Sequence, residues 1–104
     1  MDVVIRNRTD HLPAELRDYV EKKVKRLGDH LDLVSSVDVE FDRDVRKRPT
    51  PLHAVKITLH LLARRTPDFR VRETGRYQRA NFDVAMARME AEAAHLKERI
   101  KAHP

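Results

Sequence analysis

The chain has 104 residues, enough for one domain and too few for two ordinary ones, with 40% hydrophobic and 38% charged residues. That hydrophobic content argues against wholesale disorder, and the absence of cysteine excludes disulfides and thiolate metal sites. Lysine and arginine total 22 against 17 aspartate and glutamate, a net charge of +5, so polyanions are the first partners to consider.

Met1 leads straight into Asp2-Val3-Val4-Ile5-Arg6, too short and too charged for a secretion signal. No apolar run approaches the roughly 18 residues a membrane span needs. The expectation is one domain over residues 1–104, cytoplasmic and without a membrane partner. Val3 and Ile5 alternate with Asp2, Val4 and Arg6, which predicts a short first strand. Pro13 then stands where a helix can begin, because its missing N–H costs nothing there. Leu16, Val20, Val24, Leu27 and Leu31 recur at spacings of three and four, an apolar stripe on a helix over roughly residues 13–30.

Val37, Val39 and Phe41 alternate with Ser36, Asp38, Glu40 and Asp42, a strand with one buried and one wet face. A basic segment carrying Arg43, Arg46, Lys47 and Arg48 follows, closed by Pro49 and Pro51. In the third strand Val55, Ile57, Leu59 and Leu61 point one way, and Lys56, Thr58 and His60 the other. Beyond Arg64 and Arg65, Phe69 and Val71 alternate with Arg70 and Arg72 in a shorter fourth strand. Gly75 separates it from a long helix whose seam is Phe82, Met86, Met89, Ala93, Leu96 and Ile100. The heptad-like spacing admits a coiled coil, but packing on a sheet is the better use of so short a seam. The order β-α-β-β-β-α, with helices set apart from an antiparallel run of strands, implies an α+β fold of two layers. A four-stranded sheet then carries both helices on one face.

Nothing in the sequence points to catalysis. No metalloprotease helix motif, nucleophile elbow, phosphate-cradling glycine loop or carboxylate cluster occurs, so no catalytic residue, cofactor, metal or small-molecule substrate is expected. The six histidines are scattered; His53 and His60, seven apart on one strand, face opposite sides. Charge is more informative. Lys22, Lys23, Lys25 and Arg26 place four cations within five residues of the first helix. An ordinary solvated face, partly neutralised by Glu15, Asp18 and Glu21, remains the alternative. On the last helix Arg88, His95 and Arg99 lie along one flank of the seam, and Arg79 and Lys97 along the other. Between residues 43 and 76 there are ten lysines or arginines against three acids. Some of those cations have a structural explanation, since Lys56, Arg70 and Arg72 are placed to pair with Asp38, Glu40 and Asp42 across the strands. Aromatic residues are few and mostly claimed by the core pattern, so no base-stacking platform is visible and binding to phosphates by charge is expected.

Several segments together resemble the ribosome hibernation-promoting factors, also called ribosome-associated translation inhibitors or sigma-54 modulation proteins. These are Ile5-Arg6, Leu16-Arg17-Asp18-Tyr19-Val20-Glu21-Lys22-Lys23, Leu27, Ser36-Val37-Asp38-Val39, Val55-Lys56-Ile57-Thr58-Leu59-His60 and Ala80-Asn81-Phe82-Asp83. The likeness runs over nearly the whole chain in the same element order. It implies a monomer or weak dimer that binds the small ribosomal subunit and its rRNA in the channel for messenger and transfer RNA. Translation is thereby inhibited in stationary or stressed bacteria. Lys23, Arg26, Arg88 and Lys97 match basic positions of that family, with Lys22 and Lys25 next; Arg99, Arg64 and Arg65 complete the expected rRNA-binding set. The chain departs from the family pattern at Tyr77 and Arg79, which stand where an acidic residue and a tyrosine are usual. It departs also at Ala91 and His95, and in a longer basic turn through Arg64 and Arg65. Long members of the family add a C-terminal dimerisation domain; this chain reads either as a short form or as one domain of a longer protein. Two other readings stand beside this one: a double-stranded RNA-binding module, and a protein-interaction domain that dimerises through its C-terminal helix.

Overall fold

The computed structural model describes residues 1–29, 34–44, 52–62 and 68–102, with the backbone alone described at 29, 97 and 99–102. Along it run β1 (Asp2–Asn7), α1 (Ala14–Asp29), β2 (Val34–Asp44), β3 (Leu52–Leu61), β4 (Phe69–Gly75) and α2 (Gln78–Ala102). The sheet order follows the sequence, β1-β2-β3-β4. The three later strands pair antiparallel, while β1 runs parallel to β2. That mixed pairing follows from α1, which carries the chain back to the starting edge before β2 begins.

Register turns the alternation of single strands into rows across the sheet. Val3, Val37, Leu59 and Phe69 stand side by side, as do Ile5, Val39, Ile57 and Val71. Both rows belong to the apolar core together with Val20, Val24 and Leu27 of α1 and Phe82, Ala85, Met86, Met89 and Ala93 of α2. Both helices therefore lie on the same face, α1 on the β1 side and α2 over β3 and β4. Phe41, Phe82, Ile57, Leu59 and Met89 are fully buried; each such side chain contributes roughly 1.5–3 kcal/mol by leaving water. The described seam residues of α2, Phe82, Met86, Met89, Ala93 and Leu96, are thus buried. The side chain of Ile100 lies outside the described residues.

Two details depart from the simple alternation. β2 starts at Val34, with a register irregularity between Val34 and Ser36. An inserted residue of this kind lets Val34 and Val37, three apart, both be buried. β4 runs on to Gly75, and its Glu73 continues the helix-side row of Asn7, Phe41 and Val55. An acid at the end of an apolar row needs a partner, and α2 supplies one.

Candidate nucleic-acid interface

Helix α1 is anchored before it presents any charge. The Pro13 carbonyl accepts the first helical bond from Arg17 N at 3.0 Å, and an Arg17 side-chain N–H donates to the Ile5 carbonyl at 3.2 Å. Val20, Val24 and Leu27 hold the inner stripe. The predicted cations consequently ride on a fixed cylinder. Lys22 and Arg26 are exposed and make no ion pair among the described residues. Lys25 reaches Glu21 at 3.1 Å, one turn back, in an exposed pair that contributes little. Lys23 is half-buried, its ammonium 5.7 Å from the centre of the Tyr19 ring.

Tyr19 joins the two helices. Its hydroxyl donates to Asp83 Oδ1 at 2.6 Å, and that hydrogen bond raises the phenol's pKa above its ordinary value. Its ring meets Phe82 edge-on, with centroids 5.9 Å apart. The Arg79 guanidinium lies over the same ring at 4.3 Å. Lys23 of α1 and Arg79 of α2 are therefore gathered at one aromatic ring, although they lie 56 positions apart in the chain. The sequence reading left Arg79 out of the binding set. The only signal for it was its place on the Lys97 flank of the seam, since a stack on Tyr19 has no local signature.

Arg88 lies elsewhere. Its guanidinium is hydrogen-bonded to Glu73 of β4, so it leans toward the far edge of the sheet and not toward α1. The structure thus separates the expected cations into an α1 group extended by Arg79, and an Arg88 whose charge is shared with an acid. The side chains of Lys97 and Arg99, and the whole of Arg64 and Arg65, lie outside the described residues.

The helix-free face of the sheet explains other cations structurally. Arg6, Glu40, Lys56 and Arg72 form one cross-strand row. Glu40 pairs with Lys56 at 3.4 Å and with Arg8 at 2.7 Å. Two expected pairings come out differently. Asp38 meets His60 at 3.0 Å instead of a cation of β4, and Arg72 reaches the buried Asp44 at 3.4 Å instead of Asp42. Register is the reason: Asp38 faces Thr58, and Asp42 faces Ala54, so neither has a cation directly opposite. His60 also places Nδ1 2.7 Å from Asp68. Its pKa is raised, first by the hydrogen bond to Asp38 and then by Asp68. Because carboxylates only accept, both contacts are hydrogen bonds only when the ring is imidazolium. Among the described residues no three His, Asp or Glu side chains gather to hold a metal ion. No described helix is long and apolar enough to cross a membrane.

Comparison with known proteins fits this arrangement. A ribosomal subunit interface protein from Coxiella burnetii superposes with a TM-score of 0.75 at 17% identity, over 94% of this chain and 99% of that one. At that identity the likeness bears on the fold. The Thermus thermophilus Protein Y N-terminal domain gives a TM-score of 0.72 at 25% identity, over 92% of this chain and 99% of that one. No curated protein matches the chain in sequence. The family model for sigma 54 modulation protein / S30EA ribosomal protein matches residues 3–101. The chain therefore belongs to the sigma 54 modulation / S30EA ribosomal protein family, whose members are ribosome-associated and non-catalytic.

Proposed function

We propose that this chain occupies the messenger- and transfer-RNA channel of the small ribosomal subunit, inhibiting translation and promoting ribosome hibernation under stress. The single feature that carries the reading is α1: four cations in five residues, Lys22, Lys25 and Arg26 exposed and Lys23 half-buried, on a helix whose inner stripe is locked in the core. Side chains on a fixed helix can meet several rRNA phosphates at once without the chain having to order itself on binding. Family membership and the two structural likenesses support a ribosomal partner. Lys22, Lys23, Lys25 and Arg26 are the first contacts, with Arg79 beside them; Arg88, Lys97, Arg99, Arg64 and Arg65 extend the footprint. The protein acts in the cytoplasm as a monomer or weak dimer and uses no cofactor.

Competition binding tests this. Labelled chain is bound to small subunits and challenged with large subunits, then with a plain RNA duplex of equal phosphate content. Displacement by neither competitor supports a dedicated small-subunit site. Equal displacement by the duplex would favour a general double-stranded RNA-binding module and count against the proposal.

A further inference from the structure

A cleft of about 410 Å³ opens where the N-terminal ends of α1 and α2 approach each other, a size within the usual range for small-ligand sites. Its lining includes Tyr19, His53, Arg76, Tyr77 and Arg79, with Glu15 as its carboxylate. Four features of this lining go unused by the fold. Tyr77 is 67% exposed, an aromatic ring left in water beside a concave surface. Arg76 is exposed and makes no ion pair among the described residues. The Nδ1 atom of His53 is buried without a hydrogen-bond partner, which is costly unless a ligand or water completes it. Finally, the first turn of α2 holds no acidic residue, carries Arg79 and is preceded by Arg76. Cations at the positive end of a helix dipole are unfavourable there unless an anion joins them.

We propose that this cleft is a binding site for one unpaired ribonucleotide. The base stacks on the Tyr77 ring and the phosphate lies between Arg76 and Arg79, with the His53 ring in the cleft wall beside them. The chemistry is that of single-stranded RNA readers, which combine an aromatic face with nearby cations. Arg79 suits the role because its place over the Tyr19 ring at 4.3 Å holds its charge at the cleft, and a guanidinium has five N–H donors, more than one contact with Tyr19 uses. Tyr77 and Arg79 are also where the sequence departs from the pattern of the family it resembles, so the site is a property of this chain. The inference deepens the ribosomal reading by giving one contact a preference for an unstacked base, and it rests on that reading for the source of the nucleotide.

The isolated full chain, titrated with adenosine 5′-monophosphate and separately with ribose 5-phosphate, tests the site by NMR of the aromatic and imidazole resonances. The expected result is ring-current shifts at Tyr77 and His53 with the nucleotide alone. Tyr77→Phe preserves them and Tyr77→Ala abolishes them. Binding of Tyr77→Ala to small subunits should then be weaker by roughly tenfold, the lower part of the range for losing one stacked base. Unmoved Tyr77 and His53 resonances with the nucleotide, or the same shifts with ribose 5-phosphate, would overturn the proposal. The two readings fail separately. Nucleotide shifts without ribosome binding leave the cleft standing and remove the ribosomal role, whereas ribosome binding without nucleotide shifts does the reverse.

Discussion

The Tyr19 hydroxyl donates to the Asp83 carboxylate at 2.6 Å, and this hydrogen bond joins the middle of α1 to the first turns of α2. It sets the separation of the helices at the end where Lys23 and Arg79 share the Tyr19 ring. Tyr19→Phe keeps the edge contact with Phe82 and loses only the hydrogen bond. It should lower stability by about 1 kcal/mol, a fall in melting temperature of roughly 4–8 °C for a domain of this size. A double-mutant cycle with Asp83→Asn checks the assignment. Additive losses would mean that the two groups do not interact in solution.

His60 gives the stability a pH dependence of defined sign. Its folded-state pKa lies above the ordinary 6.5. The stabilisation from Asp38 and Asp68 is therefore fully present below about pH 6.5 and is lost as pH rises through the folded value. The groups are about one-third exposed, so the effect is at most about 1 kcal/mol. Thermal melts of the wild type and His60→Gln between pH 6 and pH 9 should converge as pH rises. A gap that widens with pH would reverse the assignment.

The two glycines respond differently to a methyl group. A Cβ at Gly75 would collide with the Asn81 side chain, whose amide donates to the carbonyls of Gly75 at 3.1 Å and His53 at 3.2 Å. That bridge holds the end of β4 against α2 and is buried. Gly75→Ala should destabilise by about 1–3 kcal/mol, the cost of leaving buried polar groups unsatisfied. A Cβ at Gly28 meets only the flexible end of Met1, and alanine is the better helix former by about 1 kcal/mol. Urea denaturation should show Gly28→Ala neutral to stabilising. Equal losses at both positions would contradict the packing described.

Arg88 is hydrogen-bonded to Glu73, so its charge is partly neutralised before any RNA arrives. Glu73→Gln should strengthen binding to small subunits by up to about fivefold, the equivalent of one exposed ion pair. Arg88→Gln should weaken it. Unchanged affinity in both variants would remove Arg88 from the interface.

The sheet was legible because hydrophobic alternation with period two fixes which residues face the helices, and register then aligns Val3 with Val37 and Ile5 with Val39. The seam of α2 was legible for the same reason at period 3.6. What sequence spacing could not supply was tertiary partnership. Glu73 and Arg88 are 15 positions apart, and Tyr19 and Asp83 are 64 apart. Neither pair leaves a local pattern. The cluster on α1 was readable because its four cations fall within five residues. Arg79 and Tyr77 acquire meaning only when the cleft between the two helix ends exists. The pairing expected of Asp38 failed because a strand's alternation tells which face a residue occupies and not which residue lies opposite.

The ribosomal role rests on phosphate neutralisation by a fixed α1 surface, and the ionic-strength dependence of cosedimentation with small subunits measures that directly. For the wild type, log affinity should fall linearly with log salt, each neutralised phosphate adding about 0.9 to the slope on duplex DNA and somewhat less on single strands. The double variant Lys23→Glu with Arg26→Glu, still folded by circular dichroism, should bind more weakly with a slope shallower by about two units. Affinity of the wild type that is absent at low salt, or that does not change with salt, would contradict the role.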